Sequence, residues 1–67
     1  MTIISTYYSD AIAGARAEVI KEDNSYHIKY FNPAGDLIQK EEFHGKSVYY
    51  VEDAAENWAL GIKQLNG

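Results

Sequence analysis

The sequence predicts an α+β domain spanning 1–67: a three-stranded antiparallel β-meander packed on one C-terminal α-helix, with an extra strand or arm from the N-terminus. Three observations predict it. Residues 47–65, SVYYVEDAAENWALGIKQL, carry apolar groups at helical spacing. Residues 15–31 alternate as two strands of a hairpin do, and Asn32-Pro33-Ala34-Gly35 is a strong turn leading into a further extended run.

The helix is the element around which the chain is organised. Counted at about 100° per residue, Val51, Ala54, Ala55, Trp58, Gly61, Ile62 and Leu65 share one arc, with Val48 and Tyr50 at its margins. That arc is a core face with Trp58 at its centre. Glu52, Asp53, Glu56, Lys63 and Gln64 form the opposite, solvated face. Ser47 is placed to cap the first free amides, the acids of the first half suit the positive end of the helix dipole, and Asn66-Gly67 is a natural stop. The spacing therefore predicts a helix over 48–64. Tyr49 and Leu60 break the pattern, because they project from the polar side. We expect them to belong to a contact surface with Glu52, Glu56 and Lys63 as its polar rim, covered by a partner protein, by a second copy of the chain or by the N-terminal arm.

In the N-terminal segment, Ile3, Ile4, Tyr7 and Tyr8 suit a short strand or packed arm, and Ser9-Asp10 suits a turn before Gly14. From Ala15 to Glu22, Ala15, Ala17 and Val19 fall on one side and Arg16, Glu18 and Ile20 on the other. If Asp23-Asn24 is a two-residue turn, Glu22 faces Ser25, Val19 faces Ile28, Ala17 faces Tyr30 and Glu18 faces Lys29. Apolar groups then meet on one side and an opposite-charge pair forms on the other, each worth about 0.2–1 kcal/mol. Tyr26, Ile28 and Tyr30 should face the helix, and His27, Lys29 and Phe31 the outside. The next strand, Asp36 to Phe43, carries Leu37 and Ile38 side by side, so its inward parity is open; a bulge at Gly35 would select a face. Its charged run Lys40-Glu41-Glu42 marks an edge.

Composition narrows the function classes. A chain of 67 residues buries only about 60% of the surface it exposes when unfolded, and with no cysteine it has no disulfide to add stability. Ten acidic against six basic residues give a net charge of −4, which disfavours general nucleic-acid binding. No apolar run approaches the roughly 20 residues of a membrane span, and residues 1–10 lack the pattern of a signal peptide, so a cytoplasmic location is expected.

Catalytic constellations are wanting. His27 and His44, with Glu41 or Glu42 near them, fall short of the three or four convergent ligands a metal requires. The serines and threonines stand at turns or in the N-terminal segment with no paired base. Gly45-Lys46-Ser47 resembles the end of a phosphate-binding loop but lacks the upstream glycine, and reads as a turn and helix cap. A non-enzymatic interaction module with no cofactor is the expectation. The rival is a nucleic-acid-binding domain using the exposed sheet face.

Residues 47–63, through Ser47, Tyr50 to Ala55 and Glu56-Asn57-Trp58, resemble short proteins of marine tailed phages, particularly cyanophages. The resemblance implies an accessory protein acting in the cytoplasm of an infected bacterial cell, and it transfers no catalytic residues. In outline the chain is also similar to AP2-like DNA-binding domains, whose sheets are Arg-rich; here Arg16, Lys29 and Lys40 are diluted by Glu18 and Glu41. The Glu56-Asn57-Trp58 run is similar to one in MbtH-like partners of adenylation enzymes, but their other motifs are absent. Both are likenesses of fold alone.

Overall fold

The computed structural model describes residues 2–62. Four strands, β1 (Thr2–Tyr8), β2 (Arg16–Glu22), β3 (Ser25–Phe31) and β4 (Leu37–Phe43), precede one helix, α1 (Val48–Ala59). The strands form a single antiparallel sheet in the order β1-β2-β3-β4, and α1 packs across β1, β2 and β3 on one face. The N-terminal segment is thus a full edge strand, and the three-stranded meander becomes four-stranded.

The central hairpin has the register that its alternation dictates: Glu22 faces Ser25, Glu18 faces Lys29, Val19 faces Ile28 and Ala17 faces Tyr30. Asp23 takes the left-handed φ of 51° that the two-residue connection needs, a conformation its short polar side chain tolerates. At the next turn Gly35 has φ 91°, and its N–H donates to the Asn32 carbonyl at 2.9 Å. Asn32 Oδ1 accepts from the Asp36 amide, also at 2.9 Å. The irregularity falls not at Gly35 but inside β4: Tyr30 faces Gln39 while Phe31 faces Leu37, so Ile38 is the extra residue. This shift decides the parity left open by the sequence. Gln39, Glu41 and Phe43 lie on the helix side with Tyr30, Ile28 and Tyr26.

Ala17, Val19, Ile28, Tyr30 and Phe43 from the sheet, with Ala15 from the β1–β2 connection, enclose Val51, Ala55, Trp58 and Ala59 from the helix. Trp58 meets Tyr30 edge-on, with ring centroids 5.1 Å apart, and keeps 7% of its surface exposed. Tyr30 is the larger of the wholly buried groups, so the middle of the core lies at Tyr30 and Trp58 forms its flank. The Tyr30 hydroxyl is satisfied by donating to Glu41 Oε1 at 2.9 Å, and burial together with this carboxylate pushes its pKa up.

α1 is shorter than its apolar arc suggests. Ser47 caps it by accepting from the Tyr50 amide at 3.3 Å. The helix ends at Ala59, with Leu60 as C-cap and Gly61 at φ 82°. The Gly61 amide donates to the Trp58 carbonyl and the Ile62 amide to the Asn57 carbonyl, at 3.0 and 2.9 Å, which is the paired pattern of a Schellman stop. Gly61 is therefore the terminator, not a tolerated interior residue, and Ile62 is turned out to 72% exposure instead of entering the core. Lys63, Gln64, Leu65, Asn66 and Gly67, assigned above to the helix and its stop, lie outside the described residues. Glu52 and Asp53 come after the first turn, which holds no acid, so the dipole gives them little support. Among the described residues, no helix is long and apolar enough to cross a membrane.

Candidate interaction surface

A single helix covers one face of the sheet and leaves the other open. Because side chains alternate, the open face receives the residues that are out of register with Tyr30: Ile3, Thr6 and Tyr8 from β1, Arg16, Glu18, Ile20 and Glu22 from β2, Ser25, His27, Lys29 and Phe31 from β3, and Leu37, Lys40 and Glu42 from β4. One row crosses all four strands, with Tyr8 opposite Arg16, Arg16 opposite Phe31 and Phe31 opposite Leu37. The Arg16 guanidinium lies 4.2 Å from the Phe31 ring centroid, and its Nε donates to Glu18 Oε2 at 3.1 Å. Stacking and pairing together hold this arginine in one orientation. Tyr8 is 68% exposed at one end of the row, and Leu37 is exposed at the other.

Charge on this face is balanced. Arg16, Lys29 and Lys40 are set against Glu18, Glu22 and Glu42, while Glu41, counted above among the diluting acids, turns instead to the helix side and binds Tyr30. Glu42 takes its place because of the bulge at Ile38.

His27 is the unexpected residue. Its strand position faces outward, yet its side chain is only 3% exposed, lying opposite Ile20 with Nδ1 3.4 Å from Glu22 Oε2. Its Nε2 is buried with no hydrogen-bond partner. Burial is the main force lowering its pKa, reinforced by Lys40 and Lys29 and opposed by Glu22 and Glu42. His44 instead lies 3.7 Å from Glu42, so the two histidines belong to different pairs. Among the described residues no three His, Asp or Glu side chains converge in a metal-binding arrangement.

The unfolded histidine takes up its proton near pH 6.5, and the folded one only at lower pH, so the unfolded state binds more protons between the two values. The stability that neutral His27 contributes is full above pH 6.5 and is lost as pH falls through its folded pKa. Urea unfolding of the parent and of His27→Leu at pH 7.5 and 5.5 is expected to give a smaller loss on acidification in the variant. Equal losses would mean that His27 titrates as it does in the unfolded chain.

The residues expected to bind a partner are dispersed. Tyr49, 83% exposed, stands in the first turn of α1, and Leu60, 53% exposed, at its C-cap. Eleven residues at 1.5 Å rise separate them by roughly 16 Å, so they stand at opposite ends of one side of the helix. Glu56 is exposed beside them, whereas Glu52 is half-buried and accepts a hydrogen bond from the Tyr7 hydroxyl at 2.7 Å. Lys63 lies outside the described residues. Tyr8 and Leu37 were missed as members of a continuous surface. The signal for Tyr8 was the density of large apolar groups at Ile3, Ile4, Tyr7 and Tyr8, which suits a strand beside β2; for Leu37 the bulge concealed it. No protein-family model, curated protein or solved structure matches the chain.

Proposed function

We propose that the chain is a small non-enzymatic protein-interaction module that receives a partner protein on its open sheet face. In this reading it is an accessory factor that binds a host protein in the cytoplasm of an infected bacterial cell, the setting implied by the resemblance of residues 47–63. The observation that carries the proposal is the row Tyr8–Arg16–Phe31–Leu37. Tyrosine, phenylalanine and arginine are enriched at interfaces, and tyrosine and arginine are among the types that concentrate binding energy there. Here they are adjacent, with Tyr8 exposed and Arg16 and Phe31 half-buried, and the arginine is already fixed by the Arg16–Phe31 stack and the Arg16–Glu18 pair.

A second reading has one observation in its favour: Tyr8 and Phe31 on a sheet face with Arg16 nearby is also the makings of a stacking platform for single-stranded nucleic acid. The balance of charge argues against it, since Glu18, Glu22 and Glu42 offset every cation of the face and Arg16 is already engaged.

Affinity capture from a bacterial host lysate, with parent and Phe31→Asp proteins in parallel, tests the proposal. A protein retained by the parent after nuclease treatment and lost with the variant is the expected result; truncating a central anchor typically costs about 2 kcal/mol or more, near 30-fold in affinity. Equal retention by both proteins would remove the open face from the interaction. Binding of a labelled single-stranded oligonucleotide at 0.15 M salt, lost with the same variant, would establish the second reading instead.

A further inference from the structure

The two edges of the sheet are not alike. Ser9 lies opposite Ala15 in continuation of the β1–β2 register, and its amide donates to the Ala15 carbonyl at 2.9 Å. In an antiparallel ladder, pairs that exchange hydrogen bonds alternate with pairs that do not. Tyr7 and Ser5 therefore bond to β2, while Thr6 and Tyr8 direct their N–H and C=O groups outward, where no described strand lies. The same alternation, counted from the Glu22–Ser25 closing pair, turns the outward groups of β4 to Lys40 and Glu42, whose charges blunt that edge. β1, with the sequence TIISTYY, has no charge and no proline, and its one interruption is the bulge at Ile4.

What lies above β1 selects the strand that would join it. Glu52 reaches over the edge strand to accept from the Tyr7 hydroxyl, and Glu56 follows one turn later on the same side, close enough for its charge to act on Tyr7. Both hold the phenol in its neutral form, with a pKa pushed up to about 12 by the Glu52 hydrogen bond first, then by burial and the two negative charges. α1 has no lysine or arginine between Val48 and Ala59 to offset them. A second copy paired through β1 would bring Glu52 and Glu56 of both chains together across the seam, so like charges oppose the symmetric arrangement.

We infer that the outer edge of β1 is a docking site for an extended segment of a partner protein with Lys or Arg on the side facing α1, added to the sheet as a fifth strand beneath Glu52 and Glu56. Backbone bonds at Thr6 and Tyr8 supply register, and the two carboxylates supply selectivity. This goes beyond the open-face reading and does not depend on it, because the edge and the Phe31 surface are tested by different substitutions.

The probe is an eight-residue peptide alternating Lys and Val, compared with its Glu-for-Lys counterpart, titrated into the intact chain while amide exchange is followed by NMR. The Lys peptide is expected to slow exchange at Thr6 and Tyr8 at least tenfold and to leave Lys40 and Glu42 unchanged; the Glu peptide should have no effect. Thr6→Pro removes an outward N–H not used in the β1–β2 ladder and should abolish the response. Should that variant fail to fold, Ser5→Lys, on the α1 side of β1 with Tyr7, keeps the backbone and sets like charge against the lysines of the peptide. Glu56→Lys, on the exposed helix surface, should weaken Lys-peptide binding about tenfold, whereas Phe31→Asp should not alter it. Unchanged exchange at Thr6 and Tyr8 with millimolar Lys peptide, equal responses to both peptides, or protection that rises with protein concentration alone would each overturn the proposal, the last in favour of self-pairing.

Discussion

Trp58→Ala is expected to leave most of the molecules unfolded at 25 °C. The indole packs edge-on against Tyr30 and belongs to the buried cluster shared by the sheet and α1. Truncating a buried tryptophan to alanine costs about 3–5 kcal/mol. At roughly 0.05–0.15 kcal/mol per residue, the total stability of so short a chain is of the same size. Trp58→Phe keeps a ring against Tyr30 and should retain a cooperative transition at lower temperature. Circular dichroism at 222 nm is the suitable probe, since the substitution deletes the only tryptophan. A Trp58→Ala melt within a few degrees of the parent would show that the 7% of the side chain left exposed is the part that matters, and would move Trp58 from the core to a contact surface.

Local chemistry made the central hairpin and the helix start legible in the sequence. Between Ala15 and Phe31 the alternation, the turn and the charge pair all require the same register, so each constrains the others, and the structure has that register. Ser47 likewise stands where a cap was expected. What was not legible depended on a single residue that local rules allow in two ways. Gly61 fits the apolar arc of α1 as an unhindered interior residue, but the same absence of a side chain lets it adopt φ 82° and end the helix, which also exposes Ile62. Ile38 could pair or bulge; by bulging it reverses the parity of everything after it, so Glu41 goes to Tyr30 and Glu42 to the open face.

The candidate surfaces were legible in part for the same reason. Outward placement of Lys29 and Phe31 followed from the hairpin, and Arg16 lay on their side of the sheet. Burial of His27 did not follow, because its neighbours come from other strands and the turn: Ile20 and Glu42 stand opposite it and Glu22 lies 3.4 Å from its Nδ1. The role of Glu52 depended on β1 being a paired strand that carries Tyr7 beneath α1. A helix read alone gives Glu52 and Glu56 to solvent; the edge strand makes them a roof.

Gly14→Val should be the second most damaging of the substitutions considered, ahead of Gly35→Ala although the two glycines have nearly the same backbone conformation. Gly14 has φ 89° and Gly35 φ 91°, so any L side chain at either is strained, at about 1–2 kcal/mol. Their surroundings differ. A Cβ at Gly35 meets nothing within 4 Å, whereas one at Gly14 would stand 3.1 Å from Pro33 Cβ and 3.4 Å from Pro33 Cα. The β1–β2 connection is in close contact there with the β3–β4 turn, and the proline ring is rigid. The same connection is tied to the end of α1 by the Asp10 amide, which donates to the Ala59 carbonyl at 2.7 Å, so it cannot retreat without loosening the helix. Crowding of a packed site adds about 1–3 kcal/mol. Gly35→Ala is therefore expected to lower stability by the conformational cost alone, and Gly14→Val by about 2–5 kcal/mol, with Gly14→Ala between them. Urea titrations of the three variants would give the order directly. If Gly14→Ala matched Gly35→Ala, the Pro33 contact would be soft, and the connection between β1 and β2 would be free to shift by the few tenths of an ångström that relieve it.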